Sequence, residues 1–378
     1  MNIKRQVFND ILQKLEKNKV ILLYGPRRVG KTTILNELSK VLEKTEKIKF
    51  VNGEISIIQE ELSSQSLEKL KNFIGNSSLL IIDEAQKIPK IGLNLKIIVD
   101  NIPGIKVIAS GSASFALSQE VGEPLTGRQK TVNLFPISAY EIINYQDEIF
   151  YRENLDNYLI FGSYPELFKL SDRKEKISYL RELTEAYLFK DILELERVKN
   201  SKKLKDLLSL LAFQIGKEVS LSELANALDL HIETVARYLD LMEKSFILIN
   251  IRGFSRNLRK EVSKTSRYYF YDLGVRNAII NNFNSLNLRD DKGALWENYI
   301  IIERLKKQKY TPIFSNNYFW RTYDRKEIDW VEEREGKLFG FEIKLNNKKV
   351  KEPALWKSEY REAEFEVINK DNFLSFIY

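Results

Sequence analysis

VILLYGPRRVGKTT, residues 20–33, sets a strand, a glycine-bounded loop and the start of a helix in direct succession. Val20–Tyr24 is apolar and β-prone, the composition of a buried strand. Gly25, Pro26, Arg27, Arg28, Val29, Gly30, Lys31 and Thr32 then satisfy the pattern G-x-x-x-x-G-K-[ST], and the run from Thr33 to Leu42 has the make-up of a helix. The two glycines let the backbone curl until successive N–H groups face a phosphate chain, and the helix N-terminus adds a favourable dipole. Residues 25–33, Thr33 included, are therefore expected to bind a nucleoside triphosphate. Lys31 should reach the β- and γ-phosphates, and the Thr32 hydroxyl should ligate Mg²⁺.

Further along, Leu79–Ile82 is a second apolar run, and it ends in Asp83 and Glu84. A strand buried on both faces suits a parallel sheet covered by helices. Acids at its C-terminal end lie where such sheets bind ligands. Asp83 is expected to hold the Mg²⁺ shell, and Glu84 to orient and polarise an attacking water. Ile105–Ala109 reads as a third strand, followed by Ser110, Gly111 and Ser112. Ser110 fits a γ-phosphate sensor best and Ser112 is the alternative; a tight turn explains the same residues. Arg128, in Leu125–Arg128, is the type of residue that stabilises charge in phosphoryl transfer, from its own or a neighbouring chain. A surface arginine explains it equally.

GPRRVGKTT (25–33), LLIIDEAQKIP (79–89), IASGSASFAL (108–117), LTGRQ (125–129) and LFPISAYEI (134–142), in this order, resemble the AAA-type ATP-binding proteins of bacteria and archaea. The resemblance continues through FGSYPEL (161–167) to the C-terminus. It implies an AAA+-like ATPase core, ATP in preference to GTP, and a C-terminal region generally called a domain of unknown function. The spacing of Leu, Ile, Tyr and Phe in residues 136–198 reads as helices; the resemblance makes them the small lid that closes over the nucleotide. It also implies self-assembly, since such proteins often form rings. Arg28 departs from the family, where glutamine is common; it adds a phosphate contact or is simply exposed.

From Ser201 the pattern changes. Leu204–Gln214, a short helix opened by the capping box Ser220–Glu223, and Ile232–Lys244 read as three helices. Phe246–Ile251 and Arg267–Tyr271 read as strands around a basic loop. Three helices and a hairpin make a winged helix, whose third helix can enter a major groove while the wing lies on phosphates. His231, Thr234, Arg237 and Tyr238 are the expected base-facing residues. Arg237, Arg252, Arg256, Arg259, Lys260 and Lys264 are the expected nucleic-acid contacts, with DNA favoured. From Ile251 to Arg276 there are seven basic residues against two acids. Such modules also dock proteins, and a charged hairpin is often only solvated.

The last stretch holds a second constellation. Glu297 lies on an amphipathic helix, Asp329 on a strand, and Glu342 and Lys344, two apart, face the same side of the next strand. This looks like the PD-(D/E)XK nuclease core. Glu297, Asp329 and Glu342 are its expected Mg²⁺ ligands, with Lys344 positioning a water or stabilising charge. Glu-x-Lys is also a common surface pair.

Composition narrows the rest. The chain has 378 residues, 43% hydrophobic and 30% charged, enough for several packed cores and against general disorder. There is no cysteine and one histidine, so disulfides, thiol catalysis and multi-His metal sites are excluded. No apolar run approaches the ~20 residues that span a bilayer, and Met1–Arg5 leads into an amphipathic helix without a signal-peptide core, so a cytoplasmic protein is expected. The net charge is +7, a mild bias towards polyanions. The expected architecture is α/β with four parts: an ATPase core (1–135), a helical lid (136–198), a winged helix (199–280) and a nuclease-like domain (281–378). The expected function is an ATPase coupling nucleotide state to nucleic-acid binding, with cleavage as a further activity. The alternative is an ATP-dependent switch or scaffold whose C-terminal half binds protein partners and whose nuclease-like site is inactive.

Overall fold

The computed structural model describes residues 3–111, 125–188, 201–255, 266–322, 324, 326–347 and 350–378. The chain divides into two compact units: the residues up to Ile137 with Lys244–Phe246, and Ser138–Glu243 with Ile247–Tyr378.

The first unit is built on a parallel sheet of β1 (Val20–Tyr24), β2 (Ile48–Asn52), β3 (Leu79–Asp83), β4 (Lys106–Gly111) and β5 (Gln129–Asn133), in the order β2-β3-β4-β1-β5. The apolar runs take the interior positions: every residue of β3 is buried, and all of β1 except Tyr24. Leu22, Leu80, Ile82, Leu95, Ile98 and Val107 share one core cluster. β2 and β5, with one buried residue each, form the edges. β4 lies between β1 and β3, with Leu23 beside Ser110 and Ile82 beside Ala109. The C-terminal ends of these three strands therefore open at one edge of the sheet. Gly25 follows β1 where a Cβ would lie 2.3 Å from the Leu134 carbonyl oxygen. Gly30 closes the loop at φ +98°, the left-handed region that disfavours side chains.

The second unit holds a mixed sheet in the order β12-β11-β10-β9-β7-β8-β6. Its strands are β6 (Glu218–Val219), β7 (Leu248–Gly253), β8 (Ser266–Phe270), β9 (Asn316–Arg321), β10 (Glu327–Arg334), β11 (Lys337–Ile343) and β12 (Glu364–Ile368). The hairpin β7–β8 and the antiparallel run β9–β11 are one sheet, because β7 pairs in parallel with β9 through Arg252–Tyr318 and Gly253–Phe319. The helices within Ala139–Glu182 belong to this unit as well. Asn277 donates to the carbonyls of Leu159 (3.1 Å) and Ile160 (2.8 Å), and buried Asp272 accepts from the Ser163 amide at 2.7 Å. Gly162 stands at φ +74° where a Cβ would meet the Asp272 carboxylate, which accounts for the glycine of FGSYPEL.

The segment expected as a lid is helical, but its buried polar groups are satisfied by the C-terminal half. The expected boundary at 280/281 falls within one continuous sheet.

Candidate functional site

At the open edge of the first sheet, Gly25–Thr32 connects β1 to the helix Lys31–Leu42. Lys31 is buried, and its ammonium donates to the carbonyls of Gly25 (2.8 Å) and Pro26 (2.9 Å). These bonds keep the cation inside the curl of the loop. The Thr32 hydroxyl donates to Asp83 Oδ2 at 2.6 Å. Ser110, fully buried at the end of β4, donates to the other carboxylate oxygen of Asp83. Its hydroxyl also accepts from the Glu84 amide at 3.1 Å. Asp83 is thereby fixed by two neutral hydroxyls, which orient the carboxylate without neutralising it. A divalent ion bound with nucleotide phosphates takes one or two such protein ligands and completes its shell with water and phosphate oxygens. The donor set Thr32–Asp83 fits that requirement.

Glu84 adopts φ +52°, a left-handed conformation uncommon outside glycine. Its carboxylate accepts from the Gln86 side-chain amide. Gly53, whose amide donates to the Asp83 carbonyl at 2.8 Å, passes so close that a Cβ would lie 2.5 Å from the Glu84 carbonyl oxygen. The acidic turn is held from both sides.

Arg128 is placed at the other end of the sheet. Its carbonyl accepts from the Val20 amide at 2.9 Å, and its guanidinium pairs with Asp100 at 2.5 Å. β1 runs five residues from Val20 to the loop, roughly 15 Å at ~3.3 Å per residue. Arg128 thus lies away from the P-loop of its own chain. Ser112 lies outside the described residues.

Arg5 was not legible as a site residue. It is buried, and its guanidinium donates to the carbonyls of Val29 (2.8 Å) and Phe135 (2.5 Å), tying the P-loop to the segment after β5. Nothing in the spacing of an N-terminal arginine announces a partner 130 residues away.

In the second unit the expected constellation converges. Lys344 bonds Glu342 at 2.6 Å and approaches Asp329 at 3.5 Å, and Asp329 accepts from the Ile343 amide at 2.9 Å. Glu297, on the helix Lys292–Tyr310, accepts from the Tyr269 hydroxyl at 2.7 Å. Burial, then the charge of Asp329, raise Glu297 to about 8 and Glu342 to about 7. The arrangement contains one more member. Arg267, buried on β8, brings its guanidinium within 3.5 Å of Asp329, 4.0 Å of Glu297 and 2.5 Å of Glu327. Its planar face rests 4.5 Å from the centre of the Phe319 ring. Among the described residues no group of three or more acid or histidine side chains is arranged to hold a metal ion. Of the expected Mg²⁺ set, Glu297, Asp329 and Glu342 lie near one another, with a cationic side chain among them. The sequence displayed Arg267 only as one member of a basic run.

Of the expected nucleic-acid contacts, Arg237 is exposed on the helix Ile232–Lys244 and Arg252 is exposed on β7. His231 is exposed and Thr234 is half-buried, whereas Tyr238 is buried and faces the core rather than a groove. Glu233 and Asp240 are exposed on the same helix. Arg256, Arg259, Lys260 and Lys264 lie outside the described residues. No helix among the described residues is long and apolar enough to cross a membrane.

Residues 17–143 match the family model described as AAA domain. Residues 152–286 and 292–371 match two models described as domains of unknown function, DUF8612 and DUF4143. The chain thus carries a AAA-type P-loop domain and a DUF4143 C-terminal domain. An uncharacterized protein of Mycobacterium tuberculosis is 26% identical over 344 residues, covering 90% of this chain and 74% of that one. An uncharacterized protein of Methanocaldococcus jannaschii is 26% identical over 349 residues, covering 87% and 75%. AMPPCP-bound DnaA from Aquifex aeolicus aligns with 63% of this chain and 86% of its own at 18% identity and a TM-score of 0.33. Pif1 helicase from Bacteroides, in complex with ADP-AlF3 and ssDNA, aligns with 49% and 50% at 18% identity and a TM-score of 0.26. Structural overlaps this partial carry no functional inference.

Proposed function

We propose that this protein binds ATP with Mg²⁺, hydrolyses it, and couples its nucleotide state to nucleic-acid binding, with DNA preferred. The observation that carries the proposal is the 2.6 Å bond from Thr32 to Asp83, joining the end of the P-loop to the end of β3. It brings together the two groups that would hold the ion. The backbone of residues 25–33 and Lys31 bind and orient the phosphates. Thr32 and Asp83 would hold Mg²⁺, which when bound neutralises charge on the phosphates. Ser110 holds Asp83 in orientation, and Glu84 orients the attacking water and accepts its proton. Arg128, away from the P-loop of its own chain, would act on the nucleotide of a neighbouring chain.

The coupling half rests on the element order Ser201–Phe213, β6, Leu221–Leu228, Ile232–Lys244, β7, β8, with β6 antiparallel to β8. This is the order of a winged helix. Its third helix suits the major groove of B-DNA, which admits a helix, better than the deep and narrow major groove of duplex RNA. Arg237 and Arg252 would lie against phosphates. The C-terminal sheet, with β12 parallel to β11 and Glu297 on the helix before β9, supports a nuclease-like fold.

The test is anisotropy of a labelled DNA duplex, with ATP and without nucleotide, over a salt series. Binding should weaken with salt and change several-fold with ATP, and Arg237→Glu with Arg252→Glu should lower the salt slope by about 1 for each phosphate no longer neutralised. Absence of binding at low salt with ATP present overturns the coupling. A protein-binding module is the second reading, favoured by exposed Glu233 and Asp240 beside Arg237, and that result would select it.

A further inference from the structure

The carboxylates of the C-terminal centre come from three directions: Glu297 from the helix Lys292–Tyr310, Glu327 and Asp329 from β10, Glu342 from β11. Asp329 and Glu342 are buried and Glu297 is half-buried, while Glu327 is exposed; carboxylates drawn together with so little access to water need a counter-charge. In a metal-dependent phosphodiesterase that counter-charge is the ion itself. Here the centre carries two of its own. Lys344 serves the Glu342 side at 2.6 Å. Arg267 serves the other, with Asp329, Glu297 and Glu327 at 3.5, 4.0 and 2.5 Å.

Three features mark Arg267 as built in rather than incidental. It is 4% exposed, so its charge is withheld from water and stabilised only by what surrounds it. It leaves a β-strand whose backbone is paired on both sides, with Ile251 of β7 and Glu218 of β6, so the origin of the side chain is fixed. Its guanidinium carbon lies over the Phe319 ring of β9, a strand of the nuclease-like portion, adding a cation–π contact to the ion pairs. The carboxylate oxygens nearest its Nη1 are Asp329 Oδ1 at 3.5 Å and Glu297 Oε1 at 4.0 Å. A guanidinium and a divalent ion cannot share them, since like charges at such separation repel strongly in a buried site.

We propose that Arg267 is the resident cation of this centre: it takes the place of the divalent ion, makes the carboxylate cluster a metal-free joint between the β7–β8 hairpin and the strands β9–β11, and excludes metal-dependent phosphodiester cleavage there. The inference rests on the nuclease-like reading of the C-terminal fold. It departs from that reading's chemistry, because the residues that would bind an ion hold the sheet together instead.

The experiment is Mn²⁺ titration of the full chain without nucleotide, followed by the loss of free-ion paramagnetic resonance signal. Each protein is compared with its own Asp329→Asn derivative, so that ions held elsewhere cancel. The unaltered protein is expected to show no Asp329-dependent Mn²⁺ site. Arg267→Met, which keeps the length of the side chain and removes its charge, is expected to gain one bound Mn²⁺ that Asp329→Asn abolishes. An Asp329-dependent site in the unaltered protein overturns the proposal and leaves the nuclease-like reading standing. A cooperatively folded Arg267→Met protein that binds no Mn²⁺ overturns both, since the acids then form no metal set even when released. If Arg267→Met does not melt cooperatively, Arg267→Lys retains a cation at the position. No Asp329-dependent Mn²⁺ in that variant supports the proposal, and its binding of Mn²⁺ overturns it.

Discussion

The P-loop centre and the C-terminal centre both gather acids and a lysine at strand ends, and they balance charge in opposite ways. At the P-loop, Asp83 is held by the hydroxyls of Thr32 and Ser110, and Lys31 is held by two backbone carbonyls. The anion and the cation are positioned separately by neutral dipoles. Neutral groups can give way to an incoming cation on one side and to phosphate oxygens on the other. At the C-terminal centre the acids are paired to Arg267 and Lys344 directly. A site is receptive to an ion when its charges are oriented by neutral groups and closed when they neutralise one another. Residue types alone do not separate the two cases.

The largest effect that sharpens this contrast is expected from Lys31→Ala. With the buried ammonium removed, phosphate release should fall by about 1000-fold, the upper range for losing one group that stabilises transition-state charge; steady-state ATPase rates check it. Next, Arg304→Met should break a pair that is structural throughout. Arg304 bonds Glu332 through two nitrogens at 2.6 and 2.8 Å, and the Trp330 indole donates to the same carboxylate at 2.9 Å. Removing Arg304 leaves the buried acid with Arg334, 3.2 Å away, as its remaining cation, and denaturant unfolding should show a loss of about 3 kcal/mol, the lower end for breaking a buried pair. Retained stability would mean that a single remaining cation suffices for a buried acid of this unit.

Glu84→Gln keeps the shape and removes the proton acceptor. Turnover should drop about 100-fold, within the range of general-base contributions, with ATP still bound. A filter-binding assay beside the rate measurement separates the two, and an unchanged rate removes Glu84 from the reaction. The smallest of the four effects is expected from Arg5→Met, which releases the carbonyls of Val29 and Phe135. The loop then loses preorganisation, and KM for ATP should rise about tenfold, the effect of one net charge-assisted hydrogen bond, with kcat little changed. A fall in kcat with constant KM would assign Arg5 to the chemistry instead.

Much of the first unit was legible because its central strands are buried on both faces. Val20–Tyr24 and Leu79–Ile82 read directly as continuous apolar runs. β2 and β5 were not read: lying at the sheet edges, they need only one buried residue each, and IKFVN and QKTVN show no apolar run. In the C-terminal half the three helices, the hairpin and the positions of Glu297, Asp329, Glu342 and Lys344 were legible from capping, alternation and spacing. The union of the hairpin β7–β8 with the strands β9–β12 was not. It rests on the β7–β9 pairing, whose partners lie about 65 residues apart and carry no local signal. The partners of the helices within Ala139–Glu182 were not legible for the same reason, since helical periodicity states that a face is buried without stating against what.

By itself the sequence determined the P-loop, the acidic strand end and the order of the elements, because glycine geometry, β-burial and helix capping act over a few neighbouring residues. Only the tertiary structure decided which charges meet. It set Arg128 at the far end of the sheet from the P-loop, Arg5 behind the phosphate loop and Arg267 among the C-terminal acids. Coulomb and hydrogen-bond energies depend on distances between residues remote in the chain. Those distances exist only once the sheets have formed.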